Sequence, residues 1–292
     1  MISYAECSAR ERLALLLDPG SFHEWLPPAQ RITSPHLAQL GVPSAFDDGV
    51  AIGRATLDGH KVFVAAQEGE FMGGGVGEVH GAKLVGLLQR ALRDRPAAVL
   101  LLAESGGVRL HEANAGLIAV SEVMRALLDV RTAGIPVIVL IGGANGCFGG
   151  MGIVARCADF IVMSDVGRLA MSGPEVIEAS HGVEEFDSRD RALVWRTTGG
   201  KHRWLIGDCD ALVEDEVADF RAAAIAALGK NKPLTLAALE QEHRLLARRL
   251  QALPAQDAEG DDATLLWRAL GVDGAQQVPE LPVEAVRAMR AD

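Results

Sequence analysis

Residues 136–150 read PVIVLIGGANGCFGG, and this stretch decides the fold. An apolar run typical of a strand covered on both faces leads straight into a glycine-rich turn, and a helix is predicted to begin at the end of that turn. Residues 99–107, VLLLAESGG, repeat the arrangement of a covered strand that runs into paired glycines. Strands that alternate with crossover helices predict an α/β core with parallel strands.

The remaining patterns divide the chain into three parts. Residues 1–48 predict a helix followed by an irregular arm at residues 27–43. Residues 49–230 hold the α/β core, in which glycine-rich turns lead into helices. Residues 231–292 predict a helical extension and a tail, so the chain forms one core with additions at both ends.

Hydrophobic periodicity and turn residues place the individual elements. The core opens with a hairpin signal at residues 50–66. In the last part we expect an acidic loop at residues 255–262 and a loosely held tail from Gly271. The other predicted elements are strands at residues 99–103, 136–141, 160–163 and 168–171, and helices at residues 76–93, 112–132, 214–228 and 234–253.

The composition excludes several classes of protein. With 49% hydrophobic and 23% charged residues, the 292-residue chain has the balance of a globular protein with a sizeable core. Its net charge of −11 disfavours binding to nucleic acid, and no run of about 20 apolar residues predicts a membrane span. The four cysteines form no CxxC pair and the N-terminus does not resemble a signal peptide, so we expect a cytoplasmic protein with reduced thiols.

The paired glycines at the two strand ends, Gly106-Gly107 and Gly149-Gly150, are the residues best suited to chemistry. Glycine lets the backbone approach a ligand closely, and an N–H at a helix N-terminus also gains the positive end of the peptide dipoles. Two such loops on neighbouring strands can aim N–H groups at one carbonyl oxygen and so form an oxyanion hole. The alternative is that these glycines only permit tight turns, which is common at strand ends.

A nucleotide-binding site is the weaker interpretation of the glycine-rich loops. The run GGGVG at residues 73–77 lacks the lysine of a phosphate-binding P-loop. No acidic residue follows a GxGxxG pattern at the spacing of dinucleotide-binding proteins. Acyl chemistry therefore fits the loops better than phosphate binding does.

Four motifs follow one another along the chain: FMGGGVG at residues 71–77, ESGGVRL at 104–110, GCFGG at 146–150 and MSGPEVIE at 171–178. In this order they resemble a known family, the acyl-CoA carboxyltransferase branch of the crotonase-like fold. Within it the chain is most similar to the beta subunits of biotin-independent malonate decarboxylases. It lacks the four-cysteine zinc module of bacterial acetyl-CoA carboxylase beta subunits, and residues 181–202 look like the decarboxylase subunit.

The resemblance implies a crotonase-like α/β spiral of β-β-α units with a mainly helical C-terminal part. It also implies an enzyme subunit that decarboxylates a malonyl thioester to the acetyl thioester and CO₂ by stabilising an enolate. The substrate is expected on the phosphopantetheine arm, derived from dephospho-CoA, of an acyl carrier protein. The expected partners are a crotonase-like gamma subunit that shares the site, this carrier protein and an acyl-transferase subunit; we expect no biotin, no metal and no covalently bound cofactor.

The family pattern also assigns site residues. The amides of Gly106, Gly107, Gly149 and Gly150 are expected to form the oxyanion hole. His111 and His80 are the candidate proton donors, although a lone histidine more often packs or faces water. The residues expected to bind substrate are Gly73, Gly74, Gly75, Ser105, Arg109, Cys147, Phe148, Ser172 and Gly173.

Three of the nearby side chains have alternative roles. Arg109 either grips a carboxylate or ties its loop to the fold. Glu104 orients the loop, takes part in proton transfer or serves as a hydrogen-bonded cap. Cys147 is expected to be a small buried filler rather than a nucleophile.

Docking of an acidic carrier protein favours a basic surface. Two sequence clusters qualify, although charge clusters usually only face water. They are Lys201-His202-Arg203 and the set Arg244, Arg248 and Arg249.

Two other functions remain open from the sequence. The beta half of a biotin-dependent carboxyltransferase uses the same enolate, so the glycine loops do not separate it from a decarboxylase. A non-catalytic scaffold subunit is the second alternative. A hydratase or isomerase is disfavoured, because no paired glutamates are placed across the loops.

Overall fold

The computed structural model describes residues 1–252 and 263–290, and within these ranges one sheet of seven strands forms the centre of the molecule. The strands follow chain order across the sheet; the first three pair antiparallel, and the third to the seventh run parallel. They are β1 (His23–Trp25), β2 (Val50–Leu57), β3 (His60–Gln67), β4 (Ala98–Leu102), β5 (Val137–Ile141), β6 (Phe160–Ser164) and β7 (Ala211–Val213).

Helices cover both faces of this sheet. Alternate residues of β4 point to opposite faces: Leu101 packs into the cluster that includes the helices at residues 78–94, 114–132 and 149–156, and Leu100 packs into the cluster that includes the helices at residues 9–16 and 217–227. This two-sided burial explains why the strands are continuous apolar runs. The helices are α1 (Ala9–Leu16), α2 (Pro35–Gln39), α3 (Glu78–Asp94), α4 (Asn114–Thr132), α5 (Gly149–Arg156), α6 (Pro174–His181), α7 (Arg191–Thr198), α8 (Gly200–Leu205), α9 (Val217–Ala227), α10 (Leu236–Ala252), α11 (Ala263–Ala269) and α12 (Val283–Ala288).

A second, smaller layer of extended chain lies beyond the carboxyl ends of the parallel strands. After each strand the chain makes a short bridge with the equivalent segment of the next unit before it enters a helix. The pairs are Val76 with Val108, Ser105 with Cys147, Cys147 with Leu169, and Arg168 with Gly199. A long strand, a short bridging segment and a helix repeat as a β-β-α unit, which confirms the predicted crotonase-like fold.

The predicted tail is not loosely held, and that expectation is wrong. Val278 and Val286 are buried in a third apolar cluster together with Trp267, which precedes the tail, and Leu212 of β7. The Trp267 indole also donates to Nδ1 of His202 at 3.1 Å. Tertiary packing against α8 and the sheet edge fixes a segment whose local sequence gives little indication of structure.

Other boundaries differ from the sequence expectations. The short edge strands β1 and β7 were not predicted, and the arm at residues 27–43 contains the helix α2. Residues 168–171 do not add a strand to the sheet; they form bridges of the smaller layer. The predicted acidic loop at residues 255–262 lies outside the described residues, and none of the described helices has both the length and the hydrophobicity to cross a bilayer.

Candidate active site

The loops after β4 and β5 are joined side by side. Ser105 donates its N–H to the Gly146 carbonyl at 2.8 Å, and its own carbonyl accepts the N–H of Phe148 at 2.7 Å. An ideal Cβ on Gly149 would lie 3.0 Å from the Cα of Gly107, so the two backbones touch where the glycines stand. The structure thus brings together the two glycine pairs that the sequence places in separate loops.

Three of the four predicted donor amides, those of Gly106, Gly107 and Gly149, are already engaged within the protein. Gly106 donates its N–H to the Gly73 carbonyl at 2.8 Å. Gly149 donates its N–H to the Met171 carbonyl at 3.0 Å. The prediction that Gly106, Gly107 and Gly149 offer free donors is therefore wrong, because the smaller layer of extended chain and the Ser105 hydroxyl use these N–H groups.

The peptide between Gly107 and Val108 presents a different donor. The Gly107 N–H turns back to Oγ of Ser105 at 3.2 Å, while its carbonyl accepts the N–H of Val76 at 2.9 Å. In a trans peptide the carbonyl and the following N–H point in opposite directions. The Val108 N–H therefore points away from Val76, and no hydrogen bond among the described residues uses it.

The second available donor is the N–H of Gly150. It lies in the first turn of α5, where N–H groups have no partner inside the helix, and no hydrogen bond among the described residues uses it. An ideal Cβ on Gly150 would lie 2.6 Å from Cγ1 of Val120, so only glycine lets α5 begin this close to α4. Val108 and Gly150 thus offer two unpaired amides on adjoining loops.

Arg109 faces the protein interior rather than a ligand. It is 4% exposed, and it donates to both carboxylate oxygens of Asp47, to Glu112 and, at 2.7 Å, to the Gly75 carbonyl. Burial tends to raise the pKa of Asp47, but the hydrogen bonds and charge of Arg109 outweigh burial and hold that pKa below its usual value. Arg109 ties its loop to the fold, so its assignment to substrate binding is wrong.

Three other predicted substrate contacts are also buried. Oγ of Ser105 stays within its own loop, at 3.2 Å from the Gly107 carbonyl. Burial raises the pKa of the Cys147 thiol to about 12, which fits the expected filler and excludes a thiolate nucleophile. The Phe148 ring is 3% exposed and lies 5.6 Å from the guanidinium of Arg168. These side chains shape the loops and do not face a substrate.

For the remaining residues predicted to bind substrate, which are Gly73, Gly74, Gly75, Ser172 and Gly173, substrate binding stays a prediction. Gly73 is exposed, whereas Gly74 packs so closely on the Glu104 carbonyl that a Cβ would collide with it. Gly75 is buried and presents its carbonyl to Arg109. Ser172 is half-buried, and Gly173 is the buried N-cap of α6.

The two candidate proton donors have opposite environments. His80 is completely buried, and this burial, helped by the charge of Arg109, lowers its pKa to about 3. A ring that is neutral and enclosed at pH 7 is not a proton donor to an external substrate, so the assignment of His80 is wrong. His111 is half-buried in the loop that follows Val108, and it stays a candidate.

Large apolar side chains are exposed around the two loops. Leu110 is 91% exposed and Met171, whose carbonyl accepts the Gly149 N–H, is 72% exposed. Leu117 on α4 and Ile153 on α5 are exposed as well. A group of exposed apolar side chains around unpaired amides is typical of a surface that another protein covers.

A cavity of about 470 Å³ lies elsewhere, between α2, α3 and the beginning of α4. Its lining includes Leu40, Val85 and Ile118 together with the carboxylates of Glu78 and Glu122, and none of the predicted site residues lines it. In the described ranges no group of three His, Cys, Asp or Glu side chains is arranged to hold a metal ion.

The first predicted basic cluster is internal. His202 is buried, Arg203 pairs with Asp208 at 2.8 Å, and Lys201 donates to the carbonyl of Leu281 at 2.6 Å. This cluster joins α8 to the rest of the fold and is not a docking surface. In the second cluster Arg249 also pairs with Asp208, whereas Arg244 and Arg248 are exposed on α10.

Sequence reasoning missed three groups at this site. Val108 was overlooked because the donor was expected on a glycine. Arg12, which pairs with Glu104, and Asp47, which pairs with Arg109, stand 92 and 62 residues away from their partners. Only the fold brings such pairs together, and no local pattern indicates them.

Comparison with known proteins identifies the family. Residues 5–220 match the family described as the carboxyl transferase domain. A curated relative, malonyl-S-ACP:biotin-protein carboxyltransferase of Malonomonas rubra, is 47% identical over 78% of this chain and 76% of its own length.

Two solved structures share the fold and much of the sequence. A Pseudomonas malonate decarboxylase hetero-tetramer in complex with malonate contains a chain that is 40% identical, with a TM-score of 0.83 over 92% of this chain and 97% of that chain. A hetero-dimer of a Pseudomonas malonate decarboxylase gives 37% identity and a TM-score of 0.69, over 85% of this chain and 96% of that chain.

Proposed function

The chain belongs to the carboxyl transferase family, and we propose that it is a malonate decarboxylase subunit that converts a malonyl thioester on an acyl carrier protein to the acetyl thioester and CO₂. The observation that carries the proposal is the pair of unpaired amides, Val108 and Gly150, on adjoining loops. The relatives that combine this fold with malonate and malonyl thioesters support the choice of substrate.

The chemistry requires donors at the thioester oxygen. When the bond between Cα and the carboxylate breaks, its electron pair enters the thioester as an enolate and CO₂ leaves. The N–H groups of Val108 and Gly150 stabilise the oxygen that gains charge, and each such donor contributes a factor of about 100 to 1,000 in rate. Because this charge is greater in the transition state than in the substrate, the donors raise kcat.

The enolate then takes a proton at Cα. His111 is the accessible titratable side chain closest in sequence to Val108, and we assign this transfer to it or to a water that it orients. His80 is too enclosed to take part.

The active site is completed by a partner subunit. The exposed apolar side chains around the loops, which include Leu110, Leu117 and Met171, suit coverage by a crotonase-like gamma subunit, and similar chains occur in hetero-dimers and hetero-tetramers. The substrate arrives on the phosphopantetheine arm, derived from dephospho-CoA, of the carrier protein after loading by an acyl-transferase subunit. Arg244 and Arg248 on α10 provide a basic surface for an acidic carrier.

The test is the release of CO₂ from malonyl carrier protein by the purified complex in the presence of excess avidin. We expect turnover that avidin does not affect, because the proposed reaction uses no biotin. The proposal is contradicted if the complex converts neither malonyl carrier protein nor malonyl-CoA faster than buffer alone does.

A second candidate function is carboxyl transfer to a biotin protein. The name of the Malonomonas rubra relative, which states such a transfer, favours it. Both reactions form the same enolate, so the amides of Val108 and Gly150 serve either one. Loss of turnover on addition of avidin distinguishes this reaction from direct decarboxylation.

A further inference from the structure

A buried ion pair lies next to the two loops of the candidate active site. Glu104 is 5% exposed and Arg12, which comes from α1, is 1% exposed. One guanidinium nitrogen of Arg12 donates to Oε2 of Glu104. The other two nitrogens donate to the carbonyls of Tyr4 at 2.8 Å and Ala5 at 3.3 Å. With all three nitrogens engaged, the guanidinium is held in one orientation against the carboxylate.

The same carboxylate reaches the loop after β5. Oε1 of Glu104 accepts the N–H of Asn145 at 3.0 Å, and the Glu104 backbone N–H donates to Oε1 of Gln67 at 3.1 Å. A Cβ at Gly69 or Gly143 would collide with the Glu104 side chain. The carboxylate therefore lies in a gap between three chain segments, and glycines on two of them keep that gap open.

We propose that Glu104 and Arg12 are positioning residues for the decarboxylation, an inference that rests on the proposed function of the loops. Glu104 leads directly into the loop that carries Val108, and Asn145 lies in the loop that leads to Gly150. A carboxylate hydrogen-bonded across both loops fixes the separation of the two donor amides. A donor displaced by about 1 Å costs about 100-fold in rate, so this separation controls kcat.

The other end of β5 provides a matched control. Asp159 is completely buried, accepts the N–H of Val137 at 2.9 Å and pairs with Arg131 at 3.1 Å. Its pairing therefore has the same components as that of Glu104: a buried carboxylate, an arginine and a backbone N–H beside β5. Asp159 lies at the amino end of the strand, away from both donor loops.

The experiment compares Glu104→Gln with Asp159→Asn in the assembled complex, with malonyl carrier protein as substrate. We expect Glu104→Gln to lower kcat about 100-fold with KM changed less than 2-fold, and Asp159→Asn to change kcat less than 2-fold. Arg12→Lys keeps the charge but loses the contacts to the Tyr4 and Ala5 carbonyls, and it is expected to lower kcat about 5-fold. It keeps the test open if Glu104→Gln fails to fold. Equal effects on kcat at the two ends of β5, or an unchanged kcat in Glu104→Gln and Arg12→Lys, overturn the proposal.

Amide hydrogen exchange separates this inference from the proposed function, because it needs no turnover. In the folded complex, Glu104→Gln is expected to speed exchange at least 10-fold in residues 104–109 and 143–150, and Arg12→Lys to speed it less in the same segments. Asp159→Asn is expected to do so around residues 131–137 instead. If the wild-type complex is inactive but Glu104→Gln still speeds exchange at the loops, only the decarboxylase assignment is contradicted. Unchanged exchange at the loops in an active complex contradicts the positioning role alone.

Discussion

The two ends of the parallel sheet differ in how they use backbone N–H groups. At the amino end, the turn before β5 engages its amides: Gly134 donates to the Arg131 carbonyl at 2.8 Å and Ile135 to the Val130 carbonyl at 3.2 Å. At the carboxyl end, the glycine loops leave the N–H groups of Val108 and Gly150 without hydrogen bonds among the described residues. The first end stabilises the fold, and the second retains donors for a ligand, as is usual at the carboxyl ends of parallel strands.

The largest expected effect comes from a pair of glycine substitutions, one at each end. Gly107 and Gly134 both have positive φ, at 135° and 76°, and neither would place a Cβ within 4 Å of other atoms. Alanine therefore strains the backbone at both positions, but only Gly107→Ala displaces the Val108 N–H. We expect kcat on malonyl carrier protein to fall about 300-fold in Gly107→Ala, the scale of losing one donor, and less than 2-fold in Gly134→Ala.

The same pair tests the scaffold alternative. Steady-state kinetics of the assembled complex give the result, with thermal unfolding to confirm that both variants fold. Full turnover in Gly107→Ala supports a non-catalytic subunit whose partner holds the chemistry.

At the amino end the expected effect is on stability rather than rate. Asp159→Ala leaves the buried guanidinium of Arg131 without its carboxylate, and an unpaired buried charge costs about 3 kcal/mol in the free energy of unfolding. Urea unfolding measures this loss. Activity per folded molecule is expected to stay unchanged; a matching loss of kcat would show that the two ends are not independent.

The parallel strands and the position of the two glycine loops at their carboxyl ends could be predicted from the sequence. The apolar runs before Gly106 and Gly149 predict the parallel strands, and the glycines predict where the two loops meet. The donor atoms could not be assigned in the same way. A glycine shows where the chain bends, but which N–H stays unpaired depends on neighbouring segments, as the contacts of Gly73 and Met171 demonstrate. The ion pairs of Arg12 with Glu104 and of Asp47 with Arg109 could not be predicted either, because only the fold brings these residues together.

Histidine substitutions test the accessible and the enclosed side chain at the carboxyl end. His111→Gln is expected to lower kcat about 100-fold, the usual contribution of a positioned proton donor. His80→Gln keeps an acceptor for the Gln67 amide and is expected to retain full activity. An unchanged kcat in His111→Gln assigns the proton to the partner subunit.

The smallest expected effect concerns pH. Burial lowers the pKa of both His80 and His202 to about 3, so the unfolded chain takes up protons below about pH 6.5 that the folded chain does not. The contribution of the two histidines to the free energy of unfolding is therefore fully present above that pH and is lost as the pH falls toward 3. Between pH 7.5 and 5.5 the loss is about 1 kcal/mol per histidine. Urea unfolding at the two pH values is expected to show half of the combined loss in His202→Gln.

The most direct test of the two donor amides is a crystal structure of the assembled complex with a stable malonyl-thioester analogue whose oxygen mimics the enolate. We expect this oxygen to lie about 2.7 to 3.1 Å from the backbone nitrogens of both Val108 and Gly150. If the oxygen of the analogue accepts hydrogen bonds from other donors and from neither of these two amides, Val108 and Gly150 do not form the oxyanion hole.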